Sequence, residues 1–117
     1  MRVEFPYPPR ALSPNKSSPG NWWEKSRAAK TYKTGCGWEC KTQGVKPIAA
    51  ENLSVRVTFH PPNARPRDLD NALASIKAGL DALSAALGVD DSKWTIQPIM
   101  GEPRPKLGRV VVEWEAV

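Results

Sequence analysis

The residues best suited to chemistry are acidic and lie in the middle of the sequence. Asp68 and Asp70 are two positions apart, and Asp90 and Asp91 follow later in the chain. In an extended segment, side chains two residues apart project to the same side, so the first two carboxylates would lie close enough to share one hard cation. Mg²⁺ bound by a few carboxylates promotes phosphodiester hydrolysis, because it neutralises phosphate charge and supplies an activated water.

Lys77 lies between the two acidic pairs. It can place a positive charge beside a scissile phosphate, or orient the attacking water if its pKa is perturbed. A second interpretation needs no chemistry. Acids before an apolar helix are typical caps, Lys77 and Asp81 form an i,i+4 pair, and Asp90 and Asp91 lie in a polar turn after Gly88. The pattern alone leaves both interpretations open.

The elements on either side must position these residues. Residues 54–60 alternate apolar and polar side chains, which predicts a strand, and the proline- and arginine-rich residues 61–67 form a loop that leads to Asp68. Apolar residues then recur at helical spacing, which predicts one core helix ending at Gly88. This apolar stripe consists of Leu73, Ile76, Leu80, Leu83 and Leu87.

The flanking segments complete the predicted architecture. Residues 3–7 predict an edge strand, since Pro6 cannot donate to a sheet ladder. Residues 95–100 and 109–114 predict two strands joined as a long antiparallel hairpin. The chain is therefore expected to form a single compact α+β domain over residues 1–117, with a mixed or antiparallel sheet packed with two helices.

The first predicted helix is amphipathic and basic. Asn21 can cap it, and basic residues recur every third position along one side. Whether it continues past Gly35 and Gly37 to Cys40 is open. The predicted apolar side consists of Trp22, Trp23, Ala28, Ala29 and Tyr32.

Charge and cysteine content narrow the function classes. The net charge of +5 favours a polyanionic partner, although composition alone does not separate nucleic acid from a membrane surface. No apolar run is long enough to cross a bilayer, so we expect a cytoplasmic protein with no membrane role. Cys36 and Cys40 are poorly spaced for a disulfide within one helix, and a zinc site that uses both with His60 lacks a second Cys/His pair.

Three short segments resemble one nuclease family. Residues 67–71 read Arg-Asp-Leu-Asp-Asn, residues 77–83 read Lys-Ala-Gly-Leu-Asp-Ala-Leu, and residues 88–91 read Gly-Val-Asp-Asp. In this order they resemble the signature of the RusA family of Holliday junction resolvases. The specific resemblance covers residues 67–92, and a looser one covers the remainder of the chain.

The resemblance implies an activity and a set of site residues. Members of this family are homodimers, encoded by bacteria or phages, that cut four-way DNA junctions symmetrically with Mg²⁺ or Mn²⁺. Carried over by motif, the metal ligands would be Asp68, Asp70 and Asp91, and the essential lysine would be Lys77. The role of Asp90 stays open. The interval from Asn71 to Lys77 is about a turn longer than in the shortest members, so Ser75 is a candidate N-cap for the helix.

The basic residues are expected to bind DNA phosphates around the acidic centre, with affinity that falls as salt rises. Two other functions stay open: a nuclease with a broader range of branched DNA, such as flaps and forks, and a non-catalytic junction-binding protein. The candidate DNA-binding residues are Arg10, Lys16, Arg27, Lys30, Lys33, Arg65 and Arg67.

Overall fold

Four strands and three α-helices form the part of the chain that the computed structural model describes, residues 1–13 and 22–117. Two 3₁₀ turns, Arg10–Leu12 and Asp91–Lys93, lie beside them. The predicted α+β class with a mixed sheet is confirmed. The strands are β1 (Arg2–Phe5), β2 (Leu53–His60), β3 (Trp94–Met100) and β4 (Arg109–Ala116), and the helices are α1 (Trp22–Thr42), α2 (Leu69–Ser75) and α3 (Lys77–Leu87).

The strands pair in the order β1-β4-β2-β3. β4 is antiparallel to both β1 and β2, whereas β3 is parallel to β2. The predicted hairpin of β3 and β4 is therefore wrong, because β2 lies between them. The loop of residues 101–108 instead passes the end of β2, where the Gly101 N–H donates to the Phe59 carbonyl and the Arg104 N–H to the Pro61 carbonyl, both at 2.8 Å.

The sheet buries one face against the helices. Val55, Val57 and Phe59 of β2 are buried in the same core cluster as Leu83 of α3, while Arg56 on the opposite face is exposed. The alternation predicted for residues 54–60 is confirmed. Burial of the apolar face supplies the main free energy of folding, since each such side chain contributes about 1.5–3 kcal/mol.

β1 is an edge strand, as predicted, and a side chain covers part of its free edge. The Gln43 side-chain amide accepts from the Glu4 N–H and donates to the Glu4 carbonyl, both at 2.8 Å. These bonds satisfy the outward-facing backbone groups of one residue, which an edge strand otherwise presents to other chains.

α1 continues through Gly35 and Gly37 to Thr42. Its buried residues are Tyr32, Cys36 and Cys40, which recur every fourth position on one side of the helix.

Trp22 and Trp23 are 65% and 69% exposed, so placing them on the apolar side of α1 was wrong. At about 3.6 residues per turn, Trp23 projects opposite to Tyr32. Of the remaining predicted apolar residues, Ala28 and Ala29 pack against the core and Tyr32 lies within it. The predicted cap, Asn21, lies outside the described residues.

The single helix predicted after Asp68 is two helices. α2 ends at Ser75, Ile76 has φ −89° and ψ −3°, and α3 begins at Lys77. The suggested N-cap role of Ser75 is wrong, since its hydroxyl donates to the Ala72 carbonyl at 2.7 Å. Gly88 ends α3 as predicted, in the left-handed region at φ 72°.

Among the described helices, none has the length and apolar character needed to cross a membrane.

Candidate functional site

Asp68 and Asp70 lie at the start of α2. The Asp68 side chain accepts from the Asp70 N–H at 3.0 Å and so caps the helix, which confirms the capping interpretation for this residue. Asp70 already lies in the first turn, so the expectation of an extended segment is wrong for it. Both residues are exposed, and no described group donates a hydrogen bond to the Asp70 carboxylate. The Asp70 oxygens are therefore available to a ligand.

Lys77 joins two acids that are distant in sequence. Its Nζ lies 2.6 Å from Asp81 Oδ1 and 2.8 Å from Asp91 Oδ2. The first contact confirms the predicted i,i+4 pair. The second is possible because the chain reverses after Gly88 and the 3₁₀ turn of residues 91–93 returns Asp91 to the start of α3. One ammonium group thus lies between two carboxylates.

The charge state of Lys77 follows from these contacts. Its pKa is raised to about 12 by the hydrogen bond with Asp81 and then by the one with Asp91, against a small opposing effect of burial. Lysine with a raised pKa is protonated at neutral pH. Of the two chemical roles predicted for Lys77, the fixed positive charge fits this geometry, and orienting a water through a neutral amine does not.

Asp90 and Asp91 are adjacent but contact different groups. Asp90 Oδ2 accepts from the Ser92 hydroxyl and, at 3.2 Å, from the Ser92 N–H, so it caps the 3₁₀ turn. These bonds, the hydroxyl's first, lower the pKa of Asp90. The structure therefore gives Asp90 a local structural role and leaves Asp91 facing Lys77.

A cavity of about 460 Å³ beside Asp68 is lined by basic side chains. Arg10 comes from the 3₁₀ turn after β1, and Arg65 and Arg67 come from the loop after β2. Asn71, the last residue of the Asp-Leu-Asp-Asn segment, also lines it. Three arginines and one exposed aspartate thus line the same cavity, and arginine is the side chain best suited to anionic oxygens.

The three arginines are not equivalent. The Arg67 guanidinium donates to the Asn63 carbonyl at 3.1 Å, to Asn63 Oδ1 at 3.0 Å and to the Arg65 carbonyl at 3.2 Å. It also lies 5.9 Å from the centre of the Tyr7 ring. Arg67 therefore holds the loop in shape, whereas the exposed Arg65 side chain has no hydrogen-bond partner among the described residues and can reach a ligand.

The other predicted DNA-binding residues lie elsewhere. Arg27, Lys30 and Lys33 are exposed on α1, and none of them lines the cavity beside Asp68. Lys16 lies outside the described residues. The structure thus groups Arg10, Arg65 and Arg67 with Asp68 and separates the α1 residues from them.

The carboxylates proposed for Mg²⁺ have the right donor type, but they do not lie close enough together to form a metal site. Within residues 1–13 and 22–117, no three or more His, Cys, Asp or Glu residues lie close enough together to hold a metal ion. Cys36 and Cys40 are buried free thiols, and burial raises their pKa values to about 12 and about 11. Zinc requires thiolates, so these two cysteines are poor ligands.

Two residues of this region were not among the site residues predicted from the sequence. Asp81 was considered only as an ion-pair partner, although its spacing from Lys77 already placed it one turn away. Lys25 was one basic residue among many, yet it lines a cavity of about 390 Å³ together with Lys77, Asp81 and Trp22. Trp22, on the same basic helix as Lys25, was the one signal in the sequence for this second cavity.

Comparison with known proteins finds a relative of similar sequence but no family. No family model matches the chain. An uncharacterized protein of Xylella fastidiosa (strain Temecula1) is 29% identical over 117 residues, an alignment that covers 94% of this chain and 72% of the relative. The similarity extends over nearly the whole domain and assigns no activity.

Proposed function

We propose that the protein is a Mg²⁺-dependent endodeoxyribonuclease of the RusA family that resolves four-way DNA junctions. The observation that carries this proposal is the 2.8 Å contact between Lys77 Nζ and Asp91 Oδ2. It joins two segments of the motif that are separated by a whole helix. A capping role alone gives no reason for Asp91 to face Lys77.

The arginine-lined cavity beside Asp68 supports DNA as the substrate. Phosphate oxygens are bound by guanidinium groups, and the cavity offers those of Arg10 and Arg65 next to the acidic end of α2. The formal net charge of +5 adds a long-range attraction for the same partner. Contacts of this kind bind the backbone without reading bases, which suits recognition of branched shape.

Each side chain has a separate task in this proposal. Arg10 and Arg65 bind phosphates that flank the cleaved bond. The ammonium of Lys77 stabilises the negative charge that develops on the phosphate in the transition state. Asp81 holds that ammonium through its 2.6 Å contact and is a positioning residue.

Asp68, Asp70 and Asp91 would hold Mg²⁺ or Mn²⁺, since carboxylate oxygens are the ligands that hard cations prefer. The ion, once bound, would supply charge neutralisation and the nucleophilic water for hydrolysis. Asp68 keeps one carboxylate oxygen free of its cap bond, and Asp70 keeps both. Asp91 is occupied by Lys77, and the three carboxylates do not lie together among the described residues. Ion binding would therefore require Asp91 to leave the ammonium and all three carboxylates to come together.

A homodimer follows from the same proposal. One chain carries one set of these residues, whereas resolution of a junction requires two symmetric cuts. A two-fold dimer presents two equivalent sites to a two-fold symmetric substrate.

A labelled four-way junction with Mg²⁺ or Mn²⁺ titrated in is the direct test. We expect paired symmetric cuts that leave 5′-phosphate and 3′-hydroxyl ends. Equal cleavage of flap or forked DNA under the same salt would indicate the broader branched-DNA nuclease. Junction binding without cleavage in either metal would indicate a non-catalytic binding protein.

Two variants of Asp68 separate its cap from its proposed metal role. Asp68→Ala removes the cap and is expected to lower the free energy of unfolding by about 1 kcal/mol, while Asp68→Asn keeps the cap and most of that stability. Both are expected to lose cleavage, because neither retains the carboxylate. Urea unfolding and junction cleavage measure the two effects, and full activity of Asp68→Asn would leave capping as the function of this residue.

Arg65 is expected to contribute one phosphate contact. Arg65→Ala should reduce the slope of log K against log salt by about 1 for junction binding without metal. Arg56→Ala makes the same charge change on the opposite face of the sheet and should leave the slope unchanged. Equal slopes for both variants would place DNA binding outside the arginine-lined cavity.

A further inference from the structure

The exposed tryptophans of α1 have no role in the site described so far. Trp94 and Trp114 are buried in the core, whereas Trp22, Trp23 and Trp38 are 65%, 69% and 62% exposed. Single exposed apolar side chains are common on protein surfaces. Trp22 and Trp23 differ from that background because their rings pack edge to face, with centroids 4.3 Å apart. The pair forms an aromatic surface at the start of the helix.

Trp22 also lines the cavity of about 390 Å³ that contains Lys77 and Asp81. Lys25, one turn along α1, lines the same cavity. Trp22 and two lysines therefore line one concave surface together with Asp81, and one of those lysines is the residue proposed to act at the cleaved phosphate. A volume of this size lies within the range of about 300–1,000 Å³ that is typical of small-ligand sites.

These side chains match the chemistry of an unpaired nucleotide. Proteins that bind single strands combine basic side chains that follow the phosphates with aromatic rings on which bases stack. Paired bases within a duplex do not offer their faces to a protein ring. The base faces that an indole can reach are those at a branch point, a gap or a single-stranded arm.

We infer that Trp22 is a stacking site for an unpaired nucleobase of branched or single-stranded DNA, beside Lys77 and Lys25. The inference rests on the proposed function for its choice of DNA as the partner. It adds that the protein contacts a base as well as phosphates. A second copy of the chain is the other occupant to test, and the sedimentation comparison below distinguishes it from a nucleobase.

Two gapped duplexes test the inference. One carries ordinary nucleotides in a short single-stranded gap, and the other carries abasic sites with the same phosphates. Binding is measured by fluorescence anisotropy in EDTA at one salt concentration. The wild type should prefer the gap with bases, and Trp22→Ala should weaken binding to that gap by about 5- to 150-fold while binding to the abasic gap stays within about two-fold.

Two further variants keep the result interpretable. Trp22→Phe retains a ring and should recover part of the preference for bases. Trp38→Ala removes an equally exposed indole that does not line the cavity, and it should bind both gaps as the wild type does. Equal binding of both gaps by the wild type, or equal weakening of both by Trp22→Ala, overturns the inference. A change in sedimentation of Trp22→Ala at the same protein concentration overturns it too, in favour of contact between copies.

The binding and cleavage assays test the stacking site and the nuclease proposal separately. The binding assay contains no divalent metal and needs no catalysis. If the wild type prefers bases but cuts no branched DNA in Mg²⁺ or Mn²⁺, the nuclease proposal fails and the stacking site stands. If it cuts junctions and Trp22→Ala keeps the preference for bases, only the stacking site fails.

Discussion

Asp70→Asn is expected to abolish cleavage of a four-way junction in Mg²⁺, while junction binding stays within a few-fold of the wild-type value. The Asp70 carboxylate is exposed and accepts no hydrogen bond from a described residue, so the substitution removes negative charge without removing a fold contact. The proposed phosphate contacts of the arginines do not involve this carboxylate. End-labelled junctions in gel assays measure cleavage, and anisotropy in EDTA measures binding.

Asp90→Asn is the matched control for this variant. It makes the same change of charge, and asparagine caps a turn about as well as aspartate does. Asp90 is bonded to Ser92 and has no task in the proposed reaction, so cleavage should be retained. Wild-type activity in Asp70→Asn would remove this residue from the mechanism, and equal loss in both variants would point to net charge as the cause.

Lys77→Met is expected to reduce the single-turnover rate of cleavage by about 10²- to 10³-fold, the usual cost of removing one group that stabilises transition-state charge. The side chain is 64% exposed, so the substitution should leave the fold intact. Lys77→Arg keeps the positive charge and should lose less activity. Lys93→Met removes a charge from the 3₁₀ turn of residues 91–93 and should keep the rate within a few-fold of wild type.

The raised pKa of Lys77 also predicts a pH response. Because the pKa rises from 10.5 to about 12 on folding, the stabilising contacts with Asp81 and Asp91 are fully present below pH 10.5 and are lost as pH rises through about 12. Lys77 stays charged between about pH 7 and about pH 9 even when Asp91 binds a metal, because the ordinary lysine pKa of 10.5 already lies above that range. It should therefore add no downward limb to the rate profile there. A falling limb in that range that disappears in Lys77→Arg would contradict this assignment.

Much of the fold around the candidate site could be predicted because its signals are local. Strict alternation over residues 54–60 identified β2, and Gly88 marked the end of a helix because it can adopt a positive φ. The pair of Lys77 and Asp81 followed from helical spacing alone. The contact between Lys77 and Asp91 depends on how the chain returns after α3, and only the family resemblance linked these two residues beforehand.

The errors arose where the structure depends on distant partners. The apolar stripe from Leu73 to Leu87 runs without a gap across the break at Ile76, so periodicity could not reveal two helices. β3 and β4 are consecutive strands joined by a loop that suits a hairpin, but β4 pairs with β1 and β2 instead. Trp22 and Trp23 were placed on the core side because apolar character alone does not indicate which side of a helix is buried.

The strand order has a consequence for synthesis on the ribosome. β4 is the last of the four described strands in chain order, and it is the strand through which β1 joins the sheet. A nascent chain that has not yet reached Arg109 therefore leaves β1 without a partner strand and one edge of β2 unpaired, and unpaired strand edges can pair with other chains. The sheet can close only after that residue has emerged from the exit tunnel, so this fold has to be completed after translation of nearly all of the domain.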